Sequence, residues 1–222
     1  MNNKKDIDSL LAEVKVNMYI NELNIKLYRA VEENNADDII RNIRDGANVH
    51  RSEGIELRQF NAEENTPLHI AATLGHTDAT EALVLFHAKV EARNRNQQTP
   101  LHWAANGSHC QIIDYLMEYG AHLNVKDADG DAPLAWAANV GQLVGVKKFI
   151  ALGANPMAKN SIGNTALHWA ATHGHLDVVK YLVELGMAID DTNEVGETPL
   201  ECAMHHSHVD TVMYLARLAK AC

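Results

Sequence analysis

Five seven-residue stretches recur at a fixed distance. TPLHIAA begins at Thr66, TPLHWAA at Thr99, APLAWAA at Ala132, TALHWAA at Thr165 and TPLECAM at Thr198, each 33 residues after the last. A constant period of this size confines a chain to a stack of like supersecondary units, each burying its apolar face on the next. The second half of the unit recurs as GAHLN at Gly120, GANPM at Gly153 and GMAID at Gly186, with HAKVE at His87 as the variant.

Each part of the unit has a physical reason. Thr can cap a helix, and Pro at the first helical position loses only an N–H that had no partner. Four of the five prolines, Pro67, Pro100, Pro133 and Pro199, occupy that position. The Ala-Ala pair keeps the helix thin, and Gly75, Gly141 and Gly174 end it where a left-handed residue is needed. Apolar spacing such as Ile112, Ile113, Leu116 and Met117 predicts a second helix. The Asp-, Asn- and Gly-rich remainder suits a hairpin-like turn.

The register and its T-P-L-H-x-A-A signature resemble the ankyrin repeat. The resemblance covers residues 24–222 and implies an all-α solenoid of about six helix-turn-helix units with hairpin-like fingers. Residues 1–23 read as an N-terminal helical extension, with Leu10, Leu11, Val14 and Met18 on one face as a lid over the first unit. Residues 24–65 read as a degenerate capping repeat with an inserted long finger. Repeats follow at 66–98, 99–131, 132–164 and 165–197, and 198–222 reads as a shortened C-terminal capping repeat.

The stretch ECAMHHSHVDT, residues 201–211, looks at first like a metal binder. Register explains the histidines better. His69, His102 and His168 hold the fourth place of the signature, and His76, His109, His175 and His208 the place after the first glycine or its substitute. Asn35 and Gln142 substitute at the second place, which a hydrogen-bonding role allows and zinc ligation does not. His205 and His206 fall at exposed helix-end positions without a four-ligand pattern. No metal, no cofactor and no catalytic residue is therefore expected. The Asp127, Asp129 and Asp131 spacing lacks the distal Glu of a calcium loop and reads as an acidic finger. Glycine-rich phosphate loops and hydrolase or kinase motifs are missing. Cys110 reads as core, and Cys202 as a residue on the tryptophan register with no sign of activation.

Net charge is −10, divided as −4 over residues 1–65 and −6 over 66–222. Diffuse acidity argues against nucleic acid and anionic membrane as partners. The three cysteines form neither a framework nor a pair, which favours an intracellular setting, cytoplasmic or nuclear. The opening residues suit neither a signal peptide nor a membrane span.

Surface remains, and the resemblance implies a non-catalytic module, expected to be a monomer, that binds a protein partner on its concave face. Exposed positions there are Thr73, Leu74, Asn106, Asn139, Val140, Thr172 and His173. One stripe holds Ile70, Trp103, Trp136, Trp169 and Cys202, read either as packing between first helices or as an aromatic ladder. Arg93 and Arg95 make one finger basic, Asp129 and Asp131 the next acidic, and Phe60 sits in the inserted finger. Alternatives implied by the same family are a translocated bacterial effector acting in host cytoplasm and a regulatory domain of a larger enzyme or channel. Asn124, with Leu116 eight residues upstream, matches the place where asparaginyl hydroxylases act on this family.

Overall fold

The computed structural model describes residues 2–50 and 64–220, with side chains from residue 9 onward. Twelve helices and no strand occur among the described residues. They pair as α1 (Asn2–Glu32) with α2 (Ala36–Arg44), α3 (Pro67–Leu74) with α4 (Thr77–Leu85), and α5 (Pro100–Gly107) with α6 (Cys110–Glu118). Then α7 (Pro133–Asn139) pairs with α8 (Leu143–Ala151), α9 (Ala166–Thr172) with α10 (Leu176–Glu184), and α11 (Pro199–His205) with α12 (Val209–Ala219). First helices pack on first helices along the stack, α3 on α5, α5 on α7, α7 on α9 and α9 on α11.

That close approach depends on the alanines. Ala71, Ala72, Ala104, Ala105, Ala137, Ala138, Ala170 and Ala171 are all fully buried, as are Leu68, Leu101 and Leu167 at the head of their helices. Full burial of one such leucine contributes about 1.5–3 kcal/mol. Ile112, Ile113, Leu116, Phe149, Val179 and Leu182 bring the second helices into the same core.

Four of the first helices open on a capping box, at Thr66, Thr99, Thr165 and Thr198. In the first three the returning side chain is histidine. The Thr66 N–H donates to Nδ1 of His69 at 3.1 Å, and the same bond recurs at 3.1 Å for Thr99 and His102 and 3.3 Å for Thr165 and His168. An accepting Nδ1 places the proton on Nε2. Nε2–H then donates to the far end of the unit's finger, just before the next signature, to the carbonyls of Gln98, Asp131 and Glu197 at 3.0, 3.1 and 3.2 Å. In the last unit Glu201 closes the box instead, accepting from the Thr198 N–H at 2.7 Å.

The histidine after the first helix does a second job. Nε2 of His109 donates to the Thr73 carbonyl and that of His175 to the Asn139 carbonyl, both at 3.0 Å, satisfying a helix C-terminus in the preceding unit. Each ring lies against the glycine of the preceding unit: a Cβ added there would stand 2.4 Å from the His175 ring at Gly141 and 2.4 Å from the His208 ring at Gly174. Ser108 occupies the glycine place, at φ 55°, in the one internal junction where Gln142 replaces histidine. Asn34 does so in the first unit, and there His76 turns to use Nδ1 on the Val31 carbonyl at 2.8 Å.

Fingers fold as hairpin-like turns, with Asp127 N–H bonded to the Asp131 carbonyl at 3.0 Å and the same pattern at Asn94, Asn160 and Asn193. Adjacent fingers are stitched together by Ala128 N–H to Asn96 O, Ser161 N–H to Asp129 O and Glu194 N–H to Ile162 O, at 2.9–3.0 Å.

The N-terminal reading needs correction. The chain is one helix from residue 2 to residue 32, so the boundary expected at 23 falls inside α1. Leu10, Leu11, Val14 and Met18 are 49–66% exposed and form no lid. Periodicity identified a helix face, but α1 packs on α2 and α3 only through its C-terminal part, where Leu23, Leu27, Tyr28 and Val31 are buried. The body of the inserted finger, including Phe60, lies outside the described residues.

Two outcomes follow from these contacts. Gly174 (φ +71°) and Gly186 (φ +86°) share a left-handed backbone, but only the first has a ring against it. Gly186→Ala is expected to lose about 1–2 kcal/mol from backbone strain alone, and Gly174→Ala distinctly more, measured by urea unfolding. The second outcome concerns pH. Burial holds the His69 imidazole down to about 4 and lowers His102 and His168 in the same direction. The unfolded chain takes up these protons below about pH 6.5. Stability is thus full above that value and is lost as pH falls toward 4, by about 3 kcal/mol for His69 alone. Urea midpoints should drop across this window, and His69→Gln should flatten part of the slope.

Candidate functional site

The stripe that holds the tryptophans runs along the first helices. Its ends are closed. Ile70 is 1% exposed and presents no surface to a partner, contrary to expectation, and Cys202 is 4% exposed. α1 packs against α3 in the first unit, and Ile70 joins the core there. Burial also pushes the Cys202 thiol up, away from reactivity. Trp103, Trp136 and Trp169, between these ends, are half-buried.

The indoles are fixed in different ways. Trp136 Nε1–H donates to Asp127 Oδ2 at 2.9 Å, and Trp169 Nε1–H to Asp131 Oδ1 at 2.8 Å. Trp103 packs edge-on against Trp136 at 5.7 Å, and its Nε1 is buried without an acceptor. At the place that serves Trp136, Trp103 has Asn94, whose oxygen already accepts from the Asn96 and Gln98 N–H groups. Trp169 continues to His173 at 6.1 Å, and His173 stacks on His175 at 6.1 Å.

The finger aspartates are therefore more than surface charge. Asp127 Oδ1 accepts from the Asp129 and Asp131 N–H groups at 3.0 and 2.9 Å, a role filled elsewhere by Asn94, Asn160 and Asn193. Those asparagines also donate backward: Asn94 to Asn65, Asn160 to Asp131 and Asn193 to Asn164. Asp127 has no donor to send back and accepts from Trp136 instead. Asp131, expected at the surface, is buried. Burial raises its carboxyl to about 6; the bonds from Trp169 and Asn160 oppose this, and Asp127 and Asp129 add to it. This group works against the histidines, since a raised carboxyl loses stability as pH climbs from about 4 to 6. Only Asp129 of the three is exposed.

Asp127, Asp129, Asp131, Trp136, Asn139 and Trp169 line a hollow of about 180 Å³ between first helices and fingers. Thr73, Leu74, Asn106, Asn139, Val140 and Thr172 are partly exposed and His173 is exposed. Arg93 and Arg95 are exposed but engaged, Arg93 with the Lys126 carbonyl at 3.0 Å and Arg95 with Glu64 at 2.7 Å. Asn124 is exposed, and its side-chain oxygen accepts from the Asn155 N–H at 3.2 Å.

The terminal histidines take separate partners. His205 Nδ1 lies 2.9 Å from Glu197, His206 Nδ1 3.0 Å from the Cys202 carbonyl, and His208 stacks on His206. Among the described residues, no group of three or more His, Cys, Asp or Glu side chains is placed to hold a metal ion.

Residues 27–127 and 130–221 match the family model for ankyrin repeats in three copies. No curated protein matches the chain.

Asp127 should hold both its turn and an indole. Asp127→Ala removes the acceptor of three N–H groups and is expected to cost about 1–3 kcal/mol and to alter tryptophan fluorescence. Unchanged emission would place Trp136 elsewhere.

Proposed function

The chain belongs to the ankyrin-repeat family, and on that premise we propose that it is a non-catalytic recognition module that takes a protein partner along its concave face. Ankyrin repeats serve generally in binding other proteins. The observation that carries the reading is the central hollow, where three carboxylates meet two indoles held by hydrogen bonds. Fixed aromatic surface costs little conformational freedom on binding, which is what an anchor needs. Carboxylates beside aromatic rings favour a partner segment that offers a basic side chain.

Contacts on this reading come from Leu74, Asn106, Asp129, Asn139, Val140, Thr172 and His173 around the tryptophans, with Thr73 at one edge. Asp131 serves from behind, by holding Trp169. Arg93 and Arg95 belong to a finger along the same path. An intracellular setting belongs to the same proposal, supported by Cys110 and Cys202, both unpaired. No helix among the described residues is long and apolar enough to cross a membrane. Hydroxylation of Asn124 also belongs here, supported by its exposure; an enzyme must first break its bond to Asn155.

The test compares capture of interacting proteins by the parent, by Trp136→Ala and Asp129→Lys, and by the control Lys180→Glu on second helix α10. Partners retained by the control should bind the two groove variants at least about 30-fold more weakly, equivalent to about 2 kcal/mol. Each variant is first checked for an unchanged melting transition. Equal binding by all of them would move recognition off this face.

A further inference from the structure

Helix α1 is much longer than its contacts with the repeats require. Its C-terminal part buries Leu23 and Leu27 against the stack. Its other face carries Leu11, Val14, Met18 and Ile25, which are 53, 49, 66 and 41% exposed. One exposed leucine is ordinary, but a row of apolar residues along one helix is not. The row has a defined spacing. Leu11, Val14, Met18, Asn21 and Ile25 follow one another at intervals of three and four, and in the sequence the series starts at Ile7. That is the heptad pattern of a coiled-coil seam, interrupted by one polar residue. At about 100° per residue the seam lies opposite Leu23 and Leu27, so it points away from the repeats.

We propose that this seam pairs with the same seam of a second copy of the chain. Charge favours a second copy over a membrane. Residues 1–20 carry Lys4, Lys5 and Lys15 against Asp6, Asp8 and Glu13 and are neutral, while the whole chain carries −10. A surface-bound amphipathic helix needs a basic polar face, which this segment lacks. Two acidic copies repel one another elsewhere, and the neutral helix is where they can approach. The pairing is isologous and closes on itself, leaving both concave faces free. It sets aside the expectation of a monomer. With about three heptads the seam lies at the small end of specific interfaces, roughly 1,200 Å² in total, so the dimer should form in the micromolar range.

Sedimentation velocity on the full chain tests this. The parent should pass from monomer to dimer between about 1 and 100 µM. Leu11→Glu with Met18→Glu should stay monomeric throughout, with the urea transition of the repeats unchanged. As a check that does not depend on weakening the helix, Val14→Cys should form an intermolecular disulfide under mild oxidation more readily than Lys180→Cys. A parent that stays monomeric at the upper concentration, a double variant that dimerises like the parent, or no preference for the Val14 cross-link would overturn the proposal. So would binding of α1 to anionic vesicles in place of self-association.

Discussion

The stack depends on a neutral imidazole that faces two ways. Nδ1 of His69, His102 or His168 accepts the N–H at the start of its own helix, and Nε2–H reaches the carbonyl at the end of the unit's finger, where the next unit begins. One ring thereby caps a helix and sets the distance to the next finger. The arrangement works only in the uncharged state, because a second proton would turn the accepting nitrogen into a donor facing another donor. Burial secures that state by the same packing that brings the alanine helices together. Capping, spacing and core are thus one interaction viewed from three sides.

The relay has one gap. Ala132 and Ala135 replace Thr and His, so this unit has no capping imidazole that reaches its own finger. In the same neighbourhood Asp127 replaces the asparagine that other fingers use, and Asp131 is buried. Indole N–H groups bond to both. The departures from the regular frame therefore gather at one place, where the hollow lies. A regular unit spends its polar groups on its neighbour; this junction spends two carboxylates on holding aromatic surface in a fixed pose.

Much of this was legible in the sequence, because position within a 33-residue period carries physical meaning. The caps, the buried alanines, the glycine turns and the register of seven histidines could all be read from recurrence. Recurrence was less informative where identical register meets different neighbours. Ile70 and Trp136 share a place in the unit, yet Ile70 is covered and Trp136 is not, because α1 packs on α3. The face of Leu11, Val14 and Met18 was visible as amphipathic, but periodicity alone does not say what an apolar face meets. Asp131 looked like surface charge because finger residues usually are; Trp169, two signatures further on, covers it and donates to it. A signal was present in the sequence all the same. The series Asn65, Gln98, Asp131, Asn164, Glu197 and the series Asn94, Asp127, Asn160, Asn193 each repeat at 33, and their side chains pair across units.

The fit between a histidine ring and the bare glycine before it bears on how such a chain can be rearranged. Each junction is written in two units at once: a glycine in one is matched to a histidine in the next, Ser108 is matched to Gln142, and Asn34 to a His76 that turns to use its other nitrogen. Loss of one whole period, residues 132–164, keeps the reading frame, the helix count per unit and the signature. It would nevertheless set His175 above Ser108, a residue with a Cβ where the ring must rest. Units of this array are therefore not freely interchangeable tiles. Their order is set by the seams between them, so duplication or deletion costs least where both sides of a seam travel together, and elsewhere the ring must turn as His76 does beside Asn34.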